Sequence, residues 1–236
     1  MRNDPRDGLL FVLTMIGIGI AALCITTSVR GQEYTEPYRA VCELSVPGLG
    51  QGSGTLIAVR EDLGLGIGLS CRHVCRKPYQ EMTADWIWAG CGKTKAVTLA
   101  VIDGRGFDTD MAVFVTEIPR GVKPVPVVTF NEDEGPWIAA GYRDNLLRVA
   151  GPTPRVNYNG RTIATKYLAG EPGGHVFVGG MSGGPLFNSW GEIVGVVVAS
   201  DDKTMSLCSD GPALKALVDR FLAAKAVSDL DALTSE

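Results

Sequence analysis

Nine consecutive residues, Gly179-Gly180-Met181-Ser182-Gly183-Gly184-Pro185-Leu186-Phe187, constrain this chain more than any other stretch, because they hold one serine in a backbone that favours glycine. Glycines on both sides permit a tight turn with positive φ, in which two N–H groups can converge beside the hydroxyl. Such a turn combines a nucleophile with an anion site. The segment Gly180 to Gly184 also reads Gly-x-Ser-x-Gly, so taken alone it leaves more than one architecture open.

Histidine order narrows the choice. His73 and His175 are the only histidines and both precede Ser182. An α/β-hydrolase places its acid and then its histidine after the serine, and no imidazole follows Ser182. The order His, Asp, Ser remains, and it asks for an aspartate between His73 and Ser182. Asp110 fits, because the apolar run Met111-Ala112-Val113-Phe114 follows it directly and would anchor it at a strand end. Asp108 reads as a solvated turn residue and His175 as an exposed loop histidine.

Leu69-Ser70-Cys71-Arg72-His73-Val74-Cys75 resembles the strand end and histidine turn of trypsin-like serine proteases. Phe107-Asp108-Thr109-Asp110-Met111-Ala112-Val113-Phe114 resembles their aspartate strand, and Gly179 to Phe187 their serine loop. Gly52-Ser53-Gly54-Thr55-Leu56-Ile57 is similar to the Gly-Ser-Gly strand of bacterial heat-shock-type members. Trp137-Ile138-Ala139-Ala140-Gly141-Tyr142 and Gly191-Glu192-Ile193-Val194-Gly195-Val196-Val197 are similar to the strands that open the second barrel and follow the serine. The resemblance spans Tyr38 to Leu222, and too little chain follows Ser182 for the extra peptide-binding domain of many heat-shock-type relatives.

The resemblance implies an all-β fold of two six-stranded antiparallel β-barrels of chymotrypsin type, dividing near residues 120–123, with the site in the cleft between them. It implies a serine endopeptidase working through His73, Asp110 and Ser182 and an acyl-enzyme, with the N–H groups of Gly180 and Ser182 as the oxyanion hole. Val198, Ala199 and Ser200 would pair with an extended polypeptide substrate. A catalytically inert binding module on the same fold is the alternative of a different class. The reaction so written needs no cofactor and no metal. Met181 stands where digestive-type members carry the aspartate that pairs with a released N-terminus, so activation by that ion pair is not expected. Val176, six residues before Ser182, gives no acidic group to select Lys or Arg.

Strand signals agree with β-barrels without needing the resemblance. Short β-branched runs at Arg39–Val46, Gly54–Val59, Gly66–Leu69, Ala96–Ile102, Met111–Thr116, Pro124–Thr129, Trp137–Ala140, Ile163–Tyr167 and Ile193–Ala199 are separated by Gly, Pro, Asn and Asp. Near the C-terminus Leu214, Leu217, Val218, Phe221 and Leu222 form one helical stripe, so a helix over about 212–224 is expected, capped by Ser209 or Asp210 with Pro212 in its first turn. Residues 225–236 read as a polar tail. Trp86, Trp88, Trp137 and Trp190 are assigned no role beyond packing.

Ahead of this domain, Gly8 to Val29 is uncharged and follows Arg2 and Arg6, so residues 1–31 read either as a cleaved signal peptide or as an apolar helix retained as a membrane anchor. Either places the remainder, from residue 32 to 224, outside the cytoplasm: secreted, periplasmic, or tethered to the membrane. The whole chain has a formal charge of -4, and residues 1–31 hold three arginines and two aspartates, so the remainder carries -5, which argues against a nucleic-acid partner. In an oxidising compartment Cys42, Cys71, Cys75, Cys91 and Cys208 cannot all pair, and Cys75 with Cys91 is the expected disulfide. Cys71, His73, Cys75 and Cys91 can also be drawn as zinc ligands, but a zinc ion would consume the imidazole that the serine needs.

Overall fold

Short apolar runs joined by glycine-rich turns close on themselves in the first half of the chain. The computed structural model describes residues 36–101, 110–153, 156–158, 162–166, 179–200, 205–209 and 211–223. After a 3-10 turn over Pro37–Ala40 come β1 (Val41–Val46), β2 (Gly50–Arg60), β3 (Leu65–Ser70), β4 (Glu81–Trp86), β5 (Gly92–Val101) and β6 (Ala112–Glu117), with one helical turn, α1 (Arg72–Cys75), after β3. All neighbours are antiparallel, and the order β1-β2-β3-β6-β5-β4 closes into a barrel through the β1–β4 pair. Closure leaves no free sheet edge.

Inward-facing apolar residues pack the barrel interior. Leu44, Leu56, Ile67, Leu69, Trp86 and Phe114 are fully buried. The Phe114 ring lies against the bare Cα atoms of Gly54 and Gly68, where a Cβ at Gly68 would overlap the ring itself. Three polar groups at the core pair with one another: the Trp86 indole donates to Thr94 Oγ1 at 2.9 Å, and Thr94 shares a 2.6 Å hydrogen bond with Thr116, whereas the buried hydroxyls of Thr55 and Thr98 have no hydrogen-bond partner among the described residues.

The second half forms one sheet of seven strands: β7 (Trp137–Arg143), β8 (Leu146–Thr153), β9 (Val156–Tyr158), β10 (Thr162–Lys166), β11 (Pro185–Phe187), β12 (Ile193–Ser200) and β13 (Met205–Ser209). Their order is β8-β7-β11-β12-β13-β10-β9. This differs from the second six-stranded barrel expected from the sequence. Among the described residues β8 pairs with β7 and β9 pairs with β10, so the strands that would close a cylinder form its two edges instead. The helix α2 (Gly211–Ala223) lies on β12 and buries Leu214 and Val218, one residue out of register with the expected 212–224.

Between β6 and β7 the chain crosses from the barrel to the second sheet. The expected strand over Pro124–Thr129 is an irregular crossover, because Pro124 and Pro126 lack the N–H groups that a ladder needs. Val125 N–H donates to Leu56 O at 3.0 Å, Val128 N–H donates to Ile193 O at 2.9 Å, and Ile193 N–H donates to Pro126 O at 2.9 Å. Trp86 and Trp137 are core residues, while Trp88 and Trp190 are exposed.

Cys42, Cys71, Cys75 and Cys91 are all free thiols, which corrects the expected Cys75–Cys91 disulfide. Cys75 packs beside the side chains of Ser70 and Thr98, whereas Cys91 precedes β5. Thr98 lies seven residues farther along the chain, and at ~3.3 Å per residue the separation is on the order of 20 Å, against a Cα limit of ~7 Å for a bridge. The apolar segment 8–29, the tail 225–236, Asp108 and His175 lie outside the described residues. Among the described residues no helix is long and apolar enough to cross a membrane.

The Phe114–glycine contact sets a stability test. Gly68→Ala is expected to lower unfolding free energy by about 1–3 kcal/mol, the usual cost of overpacking a filled core. Urea unfolding followed by circular dichroism measures it, and an unchanged midpoint would show that the barrel has room at this position.

Candidate active site

Strand register brings Asp110 to the histidine turn. β3 and β6 pair with Ser70 opposite Ala112, so continuing both chains by two residues sets Arg72 across from Asp110, beside the start of α1. The carboxylate then reaches His73 twice. Asp110 Oδ1 accepts from the His73 backbone N–H at 2.9 Å and Oδ2 contacts Nδ1 at 2.6 Å. An ionised carboxylate only accepts, so Nδ1 carries the proton and Nε2 presents its lone pair. Main chain and ring are fixed by one side chain. The imidazole stays 46% exposed and the carboxylate 17%, which leaves the ring open to a substrate.

Ser182 enters from the other half of the chain through its backbone. Its carbonyl accepts from Ser53 N–H at 2.7 Å, Gly183 N–H donates to Val197 O at 2.7 Å, and Gly184 N–H donates to Met181 O at 2.9 Å. Gly180 and Gly183 have φ of 98° and 88°, the left-handed region that favours glycine. Gly183 is closed to any larger residue as well, since a Cβ there would overlap Ser53 O and Ser70 Oγ. The serine turn therefore lies directly on the end of β3, against the residue that leads into the histidine turn. No hydrogen bond joins the Ser182 hydroxyl to His73 among the described residues; Nε2 instead lies 3.6 Å from Cys71 Sγ.

Ser53 is a member of the site that sequence reasoning passed over. It is fully buried on β2 and ties three segments together. Its hydroxyl donates to Gly180 O at 2.9 Å and accepts from Tyr142 N–H at 2.7 Å, while Ser70 Oγ donates to Ser53 O at 2.7 Å. The Gly52-Ser53-Gly54 motif was visible, but nothing in the sequence assigned its hydroxyl two partners about 90 and 127 residues away. Met181 has a packing role that its sequence position did not disclose. It is buried with Phe130, Trp137, Leu186, Val194 and Val197, so an apolar anchor holds the turn.

The remaining expected site residues lie along β12. Val198 is buried, and Ala199 and Ser200 follow it in the strand. One edge of β12 pairs with β13 through this stretch. The other edge is taken by β11 and then by the serine turn, where Val197 N–H donates to Gly184 O at 2.8 Å. Beyond Val197, no strand among the described residues occupies that edge.

Thiols near the site are held in the protonated form. Burial pushes Cys71 and Cys42 well above the ordinary thiol range, and burial raises Cys75 to about 11. Burial also lifts the Tyr142 phenol to about 12, and the same hydroxyl accepts from Trp88 N–H at 2.9 Å.

No protein-family model and no curated protein matches the chain. Solved structures do. A serine endoprotease from Yersinia pestis superposes with a TM-score of 0.55 at 18% identity, covering 80% of this chain and 65% of that one. An inactive serine-to-alanine mutant form of Rv3671c from M. tuberculosis superposes with a TM-score of 0.50 at 17% identity, covering 80% of this chain and 90% of that one. The fold is shared at this level of identity, and the chain spans about two thirds of the Yersinia protein.

Two substitutions test the geometry. Asp110→Asn is expected to leave the fold intact and to move the ring proton of His73 from Nδ1 to Nε2, because an amide favours the other imidazole tautomer, while Asp108→Asn should change little; ¹⁵N NMR of the ring reads the tautomer, and the reverse pattern would reassign the acid. Ser53→Ala strands the buried Tyr142 N–H and removes the donor to the part-buried Gly180 carbonyl, so its unfolding free energy should fall by about 1–3 kcal/mol. A Ser53→Ala protein as stable as the parent would show that the three segments hold together without the hydroxyl.

Proposed function

We propose that the chain is a serine endopeptidase, in which Ser182 attacks the scissile carbonyl, His73 Nε2 takes and returns the proton, and Asp110 holds the imidazole. The observation that carries this reading is the double engagement of Asp110 with His73, because it fixes the tautomer whose Nε2 can act as a base. A serine turn with two left-handed glycines stands on the same strand end. Its N–H groups at Gly180 and Ser182 supply the oxyanion site, where one donor is worth ~2.7–4 kcal/mol in the transition state. The fold shared with a protein described as a serine endoprotease supports the same class.

Substrate binding follows from the free edge of β12. An extended polypeptide adds to the Val198–Ser200 segment through main-chain hydrogen bonds, with Val198 contributing its backbone because its side chain is buried. Cys71 does not replace Ser182 as nucleophile. A reactive cysteine needs a depressed pKa and access to solvent, and Cys71 has neither. The apolar run at Gly8 to Val29 supports work outside the cytoplasm.

Covalent labelling tests the nucleophile. The full chain is expected to react with a fluorophosphonate probe at Ser182, and the Ser182→Ala protein should remain unlabelled in gel fluorescence and peptide mass spectrometry. Equal labelling of both proteins, or labelling at another residue, would remove Ser182 from the mechanism.

A further inference from the structure

The base nitrogen of His73 faces a sulfur. Cys71 Sγ and His73 Nε2 are 3.6 Å apart, and Asp110 completes a group whose ligand atoms all lie within 4.8 Å of one another. Zinc bonded to sulfur at ~2.3 Å and to imidazole nitrogen at ~2.0–2.1 Å in tetrahedral geometry holds those two atoms about 3.5 Å apart. The pair therefore already has the separation that one cation imposes. Asp110 on Nδ1 is also the arrangement that orients a metal-bound histidine, with the carboxylate accepting from the ring nitrogen that the metal does not use.

We propose that Cys71 and His73 form an inhibitory site for a thiophilic divalent cation of the Zn²⁺ class, resting on the endopeptidase reading for its effect but not for its geometry. On binding, the Cys71 thiol releases its proton to solvent and forms the S–metal bond, while Nε2 donates its lone pair to the same ion. That lone pair is the one His73 needs to accept the Ser182 proton. Metal and hydroxyl then compete for one electron pair, and occupancy stops turnover without displacing Asp110. The half-exposed imidazole is the side from which a cation enters, since Cys71 itself is closed to solvent. Cys75 and Cys91, drawn as zinc ligands from the sequence, are not in this group; Cys75 packs beside Ser70 and Thr98, and Cys91 precedes β5, seven residues before Thr98.

The test reads binding separately from activity. Full-length Ser182→Ala protein, which lacks the nucleophile, is titrated with Co²⁺ under reducing conditions, and the thiolate-to-cobalt charge-transfer absorption is followed, then displaced with Zn²⁺. The band should form, persist in Cys75→Ser and Cys91→Ser backgrounds, and vanish in Cys71→Ala, with circular dichroism checking each fold. Asp110→Asn keeps the sulfur and should weaken affinity by about 10–100-fold, the usual effect of removing a carboxylate behind a metal-bound histidine. Absence of the band in the parent, its survival in Cys71→Ala, or unchanged affinity in Asp110→Asn would overturn the site. In the active protein, zinc should cut turnover by about 100-fold or more, the lower end of what a general base contributes, over the concentration range in which the band is displaced. Turnover of Cys71→Ala should hold near its own metal-free rate. A protein that binds the metal yet shows no hydrolysis at all leaves the site standing and removes the endopeptidase reading, whereas active protein that binds the metal and keeps its rate overturns the inhibition.

Discussion

One buried hydroxyl and the backbone around it hold the two halves of this molecule in working register. Ser53 belongs to the closed barrel, yet its N–H, carbonyl and side chain engage Ser182, Ser70, Gly180 and Tyr142. The bonds to Ser70 and Tyr142 are short and buried, so losing a partner there leaves an uncompensated polar atom and not a water-filled gap. The consequence is geometric. The serine turn cannot shift relative to the end of β3 without breaking several of them together, and β3 is the strand whose continuation places His73 against Asp110.

Much of this was legible in the sequence, for identifiable reasons. The barrel strands β1, β2, β3, β5 and β6 appeared as apolar runs bounded by turn residues, and the helix over Gly211–Ala223 appeared as a stripe. Residue order alone paired His73 with an aspartate upstream of Ser182. β4 was missed because Glu81-Met82-Thr83-Ala84-Asp85-Trp86 alternates with weak apolar partners, although its inward side chains at Met82, Ala84 and Trp86 are buried. β11 has three residues behind glycines and a proline, and β13 mixes serine with apolar residues, so neither announces itself. Pro124–Thr129 misled in the opposite direction, since its valines suit a strand while its prolines deny the ladder.

The site was legible at the level of single residues and opaque at the level of contacts. In the sequence Cys71 and Cys75 can both be drawn as zinc ligands beside His73. In space they separate: one sulfur meets the imidazole and the other packs beside Ser70 and Thr98. Cys71 caps the helical turn in extended backbone while Cys75 ends it, so their side chains leave the backbone in different directions. Met181 likewise looked like a missing charge and is an apolar anchor.

What the endopeptidase reading requires is that Nε2 turn its lone pair from sulfur to serine when a substrate-like group arrives. A crystal structure of the full chain after reaction with a small organophosphonate examines this directly. The expected result is a phosphonyl group on Ser182 Oγ, its oxygen about 2.7–3.1 Å from the N–H groups of Gly180 and Ser182, with His73 still held by Asp110 and Nε2 facing the adduct. An unmodified Ser182, or an adduct whose oxygen points away from Gly180 while Nε2 remains on Cys71, would contradict it.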